Sequence, residues 1–122
     1  MLDHITLNVK DTTRSRKFYQ KALAPLGYEI VYKYAGGAGF GVAGKPDFWI
    51  RKGKPAPGGT HVAFQSQART KVNAFHAAAL KAGGKDNGKP GIRAHYHPTY
   101  YAAFVFDPDG NNVEAVCHKG KA

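Results

Sequence analysis

The chain has 122 residues, 43% of them apolar, which is enough for one compact domain or for two half-size modules sharing a core. No run approaches the roughly 20 apolar residues of a membrane span, and we expect neither a signal peptide nor a membrane partner. Because Cys117 is the single cysteine, an internal disulfide is excluded, and we expect a reducing, cytoplasmic location.

The formal net charge of +10 comes from 18 Lys and Arg against 8 Asp and Glu. A basic chain of this kind either binds nucleic acid and other anions or carries a solvated lysine surface. The lysines are scattered, with no dense run and no basic helix, which favours the second alternative. We therefore expect no specific nucleic-acid partner, and any duplex binding should be weak and steeply salt-dependent.

The first half of the chain is predicted to form a strand, a helix and three further strands. Residues 3–9 alternate between polar and apolar side chains, which is typical of a half-buried strand. Asp11 is a good N-cap, and apolar residues recur after it at helical spacing until Pro25 and Gly27 end the helix. Glycine-rich turns then separate three strand-like runs, Tyr28–Tyr34, Gly39–Ala43 and Asp47–Arg51.

The same order of elements returns after a linker rich in glycine and proline, Lys52–Gly59. The predicted elements are, in chain order, an alternating strand Thr60–Gln65, a helix from about Arg69 to Ala82, an irregular polar segment Lys85–Pro98 with at most a short strand near Ile92–Tyr96, and two strands, Tyr100–Phe106 and Asn112–Cys117. Gly83 and Gly84 end the helix, and Asp-Pro-Asp-Gly at 107–110 forms the last turn.

Strand, helix and three strands thus occur twice, and the two opening strands each carry one histidine. His4 and His61 are 61 − 4 = 57 residues apart. The single helix of such a unit covers only one face of its strands, so two units are expected to pair. The prediction is an α+β fold in which two βαβββ modules, about 1–52 and 59–118, form one domain. Their eight strands would make a curved mixed sheet with the helices outside.

Three side chains are predicted to point into the concave face of this sheet. His4 and His61 have the parity opposite to the apolar residues of their strands, and Glu114 has the parity opposite to Val113 and Ala115. An inward carboxylate is costly unless it is paired or binds a metal. Two imidazoles and one carboxylate suit a divalent Fe, Mn, Zn, Ni or Co ion. The alternative is two core histidines and a water-exposed glutamate, but three matching positions favour the metal site.

Several of these residues belong to segments that resemble a known family. Residues 4–9 with 15–19, and residues 60–64, resemble the openings of modules in the vicinal-oxygen-chelate superfamily, which includes glyoxalases, bleomycin-resistance proteins and extradiol dioxygenases. The most specific similarity is the closing hairpin 107–114, Asp-Pro-Asp-Gly-Asn-Asn-Val-Glu. The resemblance covers nearly the whole chain, and it implies the paired-module fold and a divalent metal ion.

The resemblance also assigns roles to residues. His4, His61 and Glu114 match the facial triad of the extradiol dioxygenases and three of the four metal ligands of glyoxalase I. The fourth glyoxalase position falls on Trp49, whose side chain cannot bind a metal. Lactoylglutathione lyase activity is therefore not expected, and Glu114 is also a candidate catalytic base. Metal-free, drug-sequestering relatives keep a non-catalytic alternative open.

Aromatic and basic side chains are further candidates for the site. Trp49, Tyr100 and Tyr101 are candidate substrate-binding residues, and Arg93 is a candidate to hold a substrate carboxylate or phosphate. Tyr96 is a candidate catalytic residue that would donate a proton or hydrogen bond to an oxyanion. For each of them a packing role is the alternative.

The remaining titratable candidates are weaker. His95 and His97 form a rival metal pair two residues apart, and His76 and His118 are expected to face solvent. Cys117 is expected to be buried and not to act as a nucleophile.

Two functions remain open from the sequence alone. One is a metal-dependent lyase, isomerase or dioxygenase acting on a small oxygen-bearing substrate. The other is a protein that sequesters a planar or cationic small molecule between aromatic walls. The resemblance also implies a homodimer, because in many short relatives each cup combines the first module of one chain with the second module of its partner. A cup formed within one chain is the alternative.

Overall fold

The computed structural model describes residues 1–120 and contains the predicted repeat of strand, helix and three strands. The first module consists of β1 (Ile5–Val9), α1 (Thr12–Leu23), a short 3₁₀ turn (Ala24–Leu26), β2 (Glu29–Tyr34), β3 (Gly37–Val42) and β4 (Lys45–Lys52). The second module consists of β5 (His61–Gln65), α2 (Arg69–Lys81), β6 (Lys85–Ile92), β7 (Tyr101–Phe106) and β8 (Asn112–Cys117).

The two modules have the same sheet topology. The strand orders are β1-β4-β3-β2 and β5-β8-β7-β6, and in each sheet the opening strand pairs in parallel with the closing strand. The other pairs are antiparallel. The α+β fold of paired βαβββ modules is thus confirmed, with the eight strands divided between two four-stranded ladders.

One face of each sheet packs against the helices, and the other face, here called the open face, carries no helix. Asp11 caps α1 by accepting a hydrogen bond from the Arg14 backbone N–H at 3.0 Å. Both helices and the facing strand residues contribute to one apolar core, in which the largest buried side chains are aromatic: Phe18, Tyr19, Phe40, Phe48 and Phe75. Cys117 is buried in the same core, as predicted. None of the helices in residues 1–120 is long and apolar enough to cross a membrane.

The segment after α2 corrects one prediction. Lys85–Ile92 forms a strand, whereas the sequence pattern indicated an irregular segment with a short strand further on. β6 pairs only with β7 and lies at the edge of its sheet, so it keeps polar residues, glycines and Pro90 without losing its ladder. Register shifts around Gly88 remove the regular alternation that sequence reasoning depends on.

The turn at 107–110, which connects β7 and β8, is hydrogen-bonded to helix α1 of the first module. Asp107 accepts hydrogen bonds from the backbone N–H groups of Asp109 and Asn111, at 2.9 and 2.8 Å. Its other carboxylate oxygen accepts from the Tyr19 hydroxyl at 2.5 Å. Burial, reinforced by Asp107, raises the pKa of Tyr19 well above its ordinary value. Because Tyr19 lies on α1, this buried bond fixes the second module to the first.

His76 is the counterpart of Tyr19 in the second module, since 76 − 19 = 57 is the repeat distance. It was expected to face solvent but is buried on α2, with Nε2 at 2.9 Å from Asp86 Oδ1. The hydrogen bond from His76, followed by that from the Gly88 backbone, lowers the pKa of Asp86. The prediction was wrong because Asp86 lies on β6, the strand that the sequence pattern did not indicate.

Candidate metal and substrate site

Glu114 is the centre of a polar cluster on the open face of the second sheet. Its carboxylate is only 2% exposed, although it lies on the face without a helix. Oε1 is 2.8 Å from His61 Nε2 on β5, and Oε2 accepts a hydrogen bond from the Tyr100 hydroxyl. The structure therefore brings two of the three predicted metal ligands, His61 and Glu114, into contact.

One side of Glu114 is covered by Tyr100, the last residue of the connection between β6 and β7. This loop, residues 93–100, is largely exposed and is held by its own backbone hydrogen bonds, including Arg93 N–H to Tyr100 O at 2.7 Å and Tyr100 N–H to His97 O at 3.1 Å. The Tyr100 ring contacts a small apolar cluster of Ala102, Phe104 and Val116. Partial burial and the bond to Glu114 raise the pKa of the Tyr100 hydroxyl, so it stays protonated and donates at neutral pH.

Arg93 is held beside this cluster. Its guanidinium donates to the Gly91 and Lys89 carbonyls, at 2.9 and 2.8 Å, and lies 5.3 Å from the centre of the Phe104 ring. A side chain at Gly88 would come within 2.8 Å of Phe104, so glycine there is required by close packing. These bonds use two of the five guanidinium N–H groups and leave others for an anionic ligand.

The other predicted tyrosines lie outside this cluster. Tyr96 is at the rim, 59% exposed, with its ring 5.0 Å from the Tyr100 ring, and Tyr100 rather than Tyr96 contacts Glu114. Tyr101 lies on the helix side of β7, where its hydroxyl donates to Asn73 Oδ1 at 2.6 Å and Arg69 stacks on its ring. Alternation along β7 gives the open face to Ala102 instead, so the structure does not bring Tyr101 to the site.

His4 and Trp49 lie together on the open face of the first sheet. Phe48 and Ile50 are buried in the core, and Trp49 between them points the other way. The Trp49 ring stacks on Tyr32, with centroids 5.8 Å apart and planes within 18°. His4 is half exposed, and its Nδ1 lies 2.6 Å from Asp3 Oδ1. This face therefore carries an aromatic pair, of which Tyr32 is exposed and Trp49 half-buried, and a half-exposed imidazole.

The strand registers show which positions of the two modules correspond. Two residues after His4, Thr6 pairs with Trp49, and two residues after His61, Ala63 pairs with Glu114. Trp49 therefore occupies in the first module the position that Glu114 occupies in the second.

The donor pair is at hydrogen-bond distance, slightly closer together than two ligands of one metal ion would be. Two donors about 2.1 Å from one metal, at angles of 90–110°, are roughly 3.0–3.4 Å apart, close to the 2.8 Å between His61 and Glu114. Within residues 1–120 no group of three or more His, Cys, Asp and Glu side chains is placed to hold a metal. One chain thus brings together two of the three predicted ligands, while His4 lies on the other open face.

The rival pair has other partners. His95 lies against the Tyr96 ring, with centroids 4.1 Å apart, and His97 Nδ1 contacts the Thr99 hydroxyl at 3.1 Å. His118 is exposed, as predicted, and its ring meets the Tyr100 ring edge to face.

Sequence reasoning missed three residues of these faces. Phe104 pairs with Glu114 across β7 and β8, and Tyr32 stacks on Trp49. The Asn112 side-chain oxygen is buried beside the His61 strand position without a hydrogen-bond partner in the described part of the chain. Alternation along β7 and β8 was a usable signal for Phe104 and Asn112, whereas nothing local indicated Tyr32.

The model of the Glyoxalase/Bleomycin resistance protein/Dioxygenase superfamily matches residues 1–115, so the chain belongs to this superfamily. No curated protein sequence matches the chain.

Solved structures agree with this assignment. A glyoxalase/bleomycin resistance protein from Albidiferax ferrireducens is 28% identical, with a TM-score of 0.79 over 93% of this chain and 95% of that one. A lactoylglutathione lyase from Agrobacterium tumefaciens is 16% identical, with a TM-score of 0.69 over 93% and 90%. A mutant fosfomycin resistance protein from Listeria monocytogenes, complexed with Mn(II) and 1S,2S-dihydroxypropylphosphonic acid, is 23% identical, with a TM-score of 0.72 over 100% and 90%. The last two likenesses concern the fold alone.

Proposed function

We propose that this protein is a divalent-metal-dependent enzyme acting on a small oxygen-bearing substrate. The observation that carries the proposal is the buried Glu114 carboxylate, which lies 2.8 Å from an imidazole nitrogen on a neighbouring strand. A buried carboxylate needs a charged or hydrogen-bonding partner, and a metal ion bound by Glu114 and His61 would add an opposite charge to the hydrogen bonds that His61 and Tyr100 supply.

The third ligand in this proposal is His4 of a second copy of the chain. Each chain carries two different open faces, one with His61 and Glu114 and one with His4 and Trp49. A two-fold dimer that places the first face of one copy against the second face of the other makes two identical sites. Such a dimer would also cover Tyr32, which a single chain leaves exposed, and the half-buried Trp49 stacked on it.

The bound metal would act as a Lewis acid toward neighbouring oxygens of the substrate. Around it, Arg93 would bind an anionic group, because its guanidinium is already ordered over Phe104 with free N–H donors. Tyr96, exposed at the rim, would donate a proton or hydrogen bond to an oxyanion. Glu114 would serve as ligand and, in isomerase-type chemistry, as the base.

Trp49 argues against lactoylglutathione lyase activity. An indole at the position equivalent to Glu114 removes one potential ligand and presents an apolar wall with a single N–H donor. Turnover of the hemithioacetal of methylglyoxal and glutathione should stay below about 1 s⁻¹, the lower end of ordinary enzyme rates. Thioester formation, followed in the presence of Ni, Zn, Co, Mn or Fe(II), measures this directly.

The second candidate is non-catalytic sequestration of a small molecule, as in bleomycin-resistance proteins. One observation favours it: exposed Tyr32 stacks on half-buried Trp49, and this pair is a surface for a planar or cationic ring.

Metal analysis of the purified protein, combined with light scattering, tests the main proposal. We expect one divalent ion per chain and a dimer mass at micromolar concentration. A dimer without metal, even after incubation with Mn, Fe(II), Co, Ni or Zn, would favour sequestration. A monomer that binds metal would exclude the shared site and require all ligands from one chain.

A further inference from the structure

Tyr100 was expected to bind substrate, but its hydroxyl is engaged by the protein. It donates to Glu114 Oε2, while Oε1 of the same carboxylate faces His61. The ring is held from several sides, by the apolar cluster beneath it, by Tyr96 and by His118. A phenol fixed in this way cannot turn toward a ligand without leaving its partner unpaired.

We infer that Tyr100 is the positioning residue of Glu114: by holding Oε2, it fixes the carboxylate rotamer and leaves Oε1 as the single atom that faces His61 and a metal. This inference rests on the proposed function, because it takes Glu114 as a metal ligand. Partners that orient metal ligands in this way typically contribute 10–100-fold to metal affinity. Tyr100 directly precedes β7 and lies on the same face as Ala102 and Phe104, which places its phenol beside Glu114.

The neighbouring tyrosine is a matched control for this inference. Tyr101 also donates its hydroxyl to one side-chain oxygen, that of Asn73, but on the opposite face of β7. Tyr100→Phe and Tyr101→Phe each remove one hydroxyl and one hydrogen bond. A purely structural role would make the two variants behave alike, whereas a positioning role affects metal binding only in Tyr100→Phe.

The first experiment titrates the two variants and the parent protein, freed of metal with a chelator, with Mn²⁺ and follows binding by calorimetry and the Mn²⁺ resonance signal. We expect Tyr100→Phe to weaken Mn²⁺ binding about 10–100-fold and Tyr101→Phe to leave it unchanged. Equal Mn²⁺ affinity in both variants would overturn the inference. A parent protein that binds none of the five candidate metals would overturn the proposed function.

The second experiment is done without metal, so it tests the role of Tyr100 even if the proposed metal-dependent function is wrong. A double-mutant cycle between Tyr100→Phe and Glu114→Ala, measured by chemical unfolding in chelator, should show a coupling of roughly tenfold in the unfolding constant. The same cycle with Tyr101→Phe should show none. If Glu114→Ala does not fold, Glu114→Gln replaces it with a smaller expected coupling. No difference between the two cycles would show that Tyr100 does not hold Glu114.

Discussion

The two modules share one topology but have different open faces. Helix positions 57 residues apart correspond closely: Tyr19 and His76 are both buried, and each contacts an aspartate. In the closing strands β4 and β8, Trp49 and Glu114 occupy equivalent positions, but one side chain is aromatic and the other is a carboxylate. The repeated pattern thus specifies the scaffold, and single substitutions on the open faces specify what each face does.

The connection before the third strand makes the main difference. In the first module β2 and β3 are joined by two residues, 35–36, and the open face stays exposed. In the second, the eight-residue loop 93–100 ends in Tyr100, whose hydroxyl donates to the buried Glu114 on the open face. The longer connection thus adds to this face a phenol that the short turn of the first module does not supply.

The largest expected effect is on metal affinity and comes from separate substitutions at the equivalent positions Glu114 and Trp49. Glu114→Ala should weaken Mn²⁺ binding by more than roughly 100-fold, beyond the range typical of groups that only orient a ligand. Trp49→Phe, which keeps an aromatic wall, should change it by less than about tenfold. Calorimetric titration of the two variants measures this, with circular dichroism as the check on folding. Similar losses in both would mean that the two positions are not chemically distinct.

The next largest effect is expected on stability, when the Tyr19 hydroxyl is removed. Tyr19→Phe removes a buried bond between the modules and should lower the free energy of unfolding by about 1–3 kcal/mol. Tyr28→Phe is the control, because its hydroxyl bonds Asp47 in an exposed setting and should cost less than about 1 kcal/mol. Urea unfolding compares them. Equal costs would show that the bond from Tyr19 to Asp107 does not join the modules.

Gly39 tests the packing beneath Trp49. A Cβ at this position would lie 2.7 Å from the indole, so Gly39→Ala should cost about 1–3 kcal/mol and displace the ring. Because Trp49 is the single tryptophan, its fluorescence reports the displacement directly. Gly36→Ala, whose Cβ would meet Tyr34 only at an ordinary 3.5 Å, should change neither quantity. An unchanged emission spectrum in Gly39→Ala would contradict the described stacking.

The smallest expected effect concerns the His76–Asp86 pair. The lowered pKa of Asp86 means that its contribution to stability is present above the ordinary value of 3.8 and is lost as the pH falls through the lower folded value. Asp86→Asn should therefore flatten the acid end of the stability profile and lower the urea midpoint at neutral pH. His76→Phe, which removes the donor, should do the same. If stability still fell with the same slope at acid pH in both variants, the His76–Asp86 pair would be excluded as the cause of that fall.

Much of this architecture was predictable from local pattern. Alternation in β4 and β8 put Trp49 and Glu114 opposite their apolar neighbours, and the 57-residue repeat identified two equivalent modules with His4 and His61 at matching positions. Asp11 was recognised as a helix cap. These features follow from backbone periodicity, which fixes the direction of each side chain within its own element.

What the tertiary structure decided lies where distant segments meet. Alternation puts Tyr100 and Tyr101 on opposite faces of β7, but only the folded sheet shows that the Tyr100 side chain extends along the open face to Glu114. His76 is buried because an edge strand without clear alternation brings Asp86 to it. No local period encodes such contacts, since they depend on how far a loop reaches and on which polar groups must find partners once water is excluded.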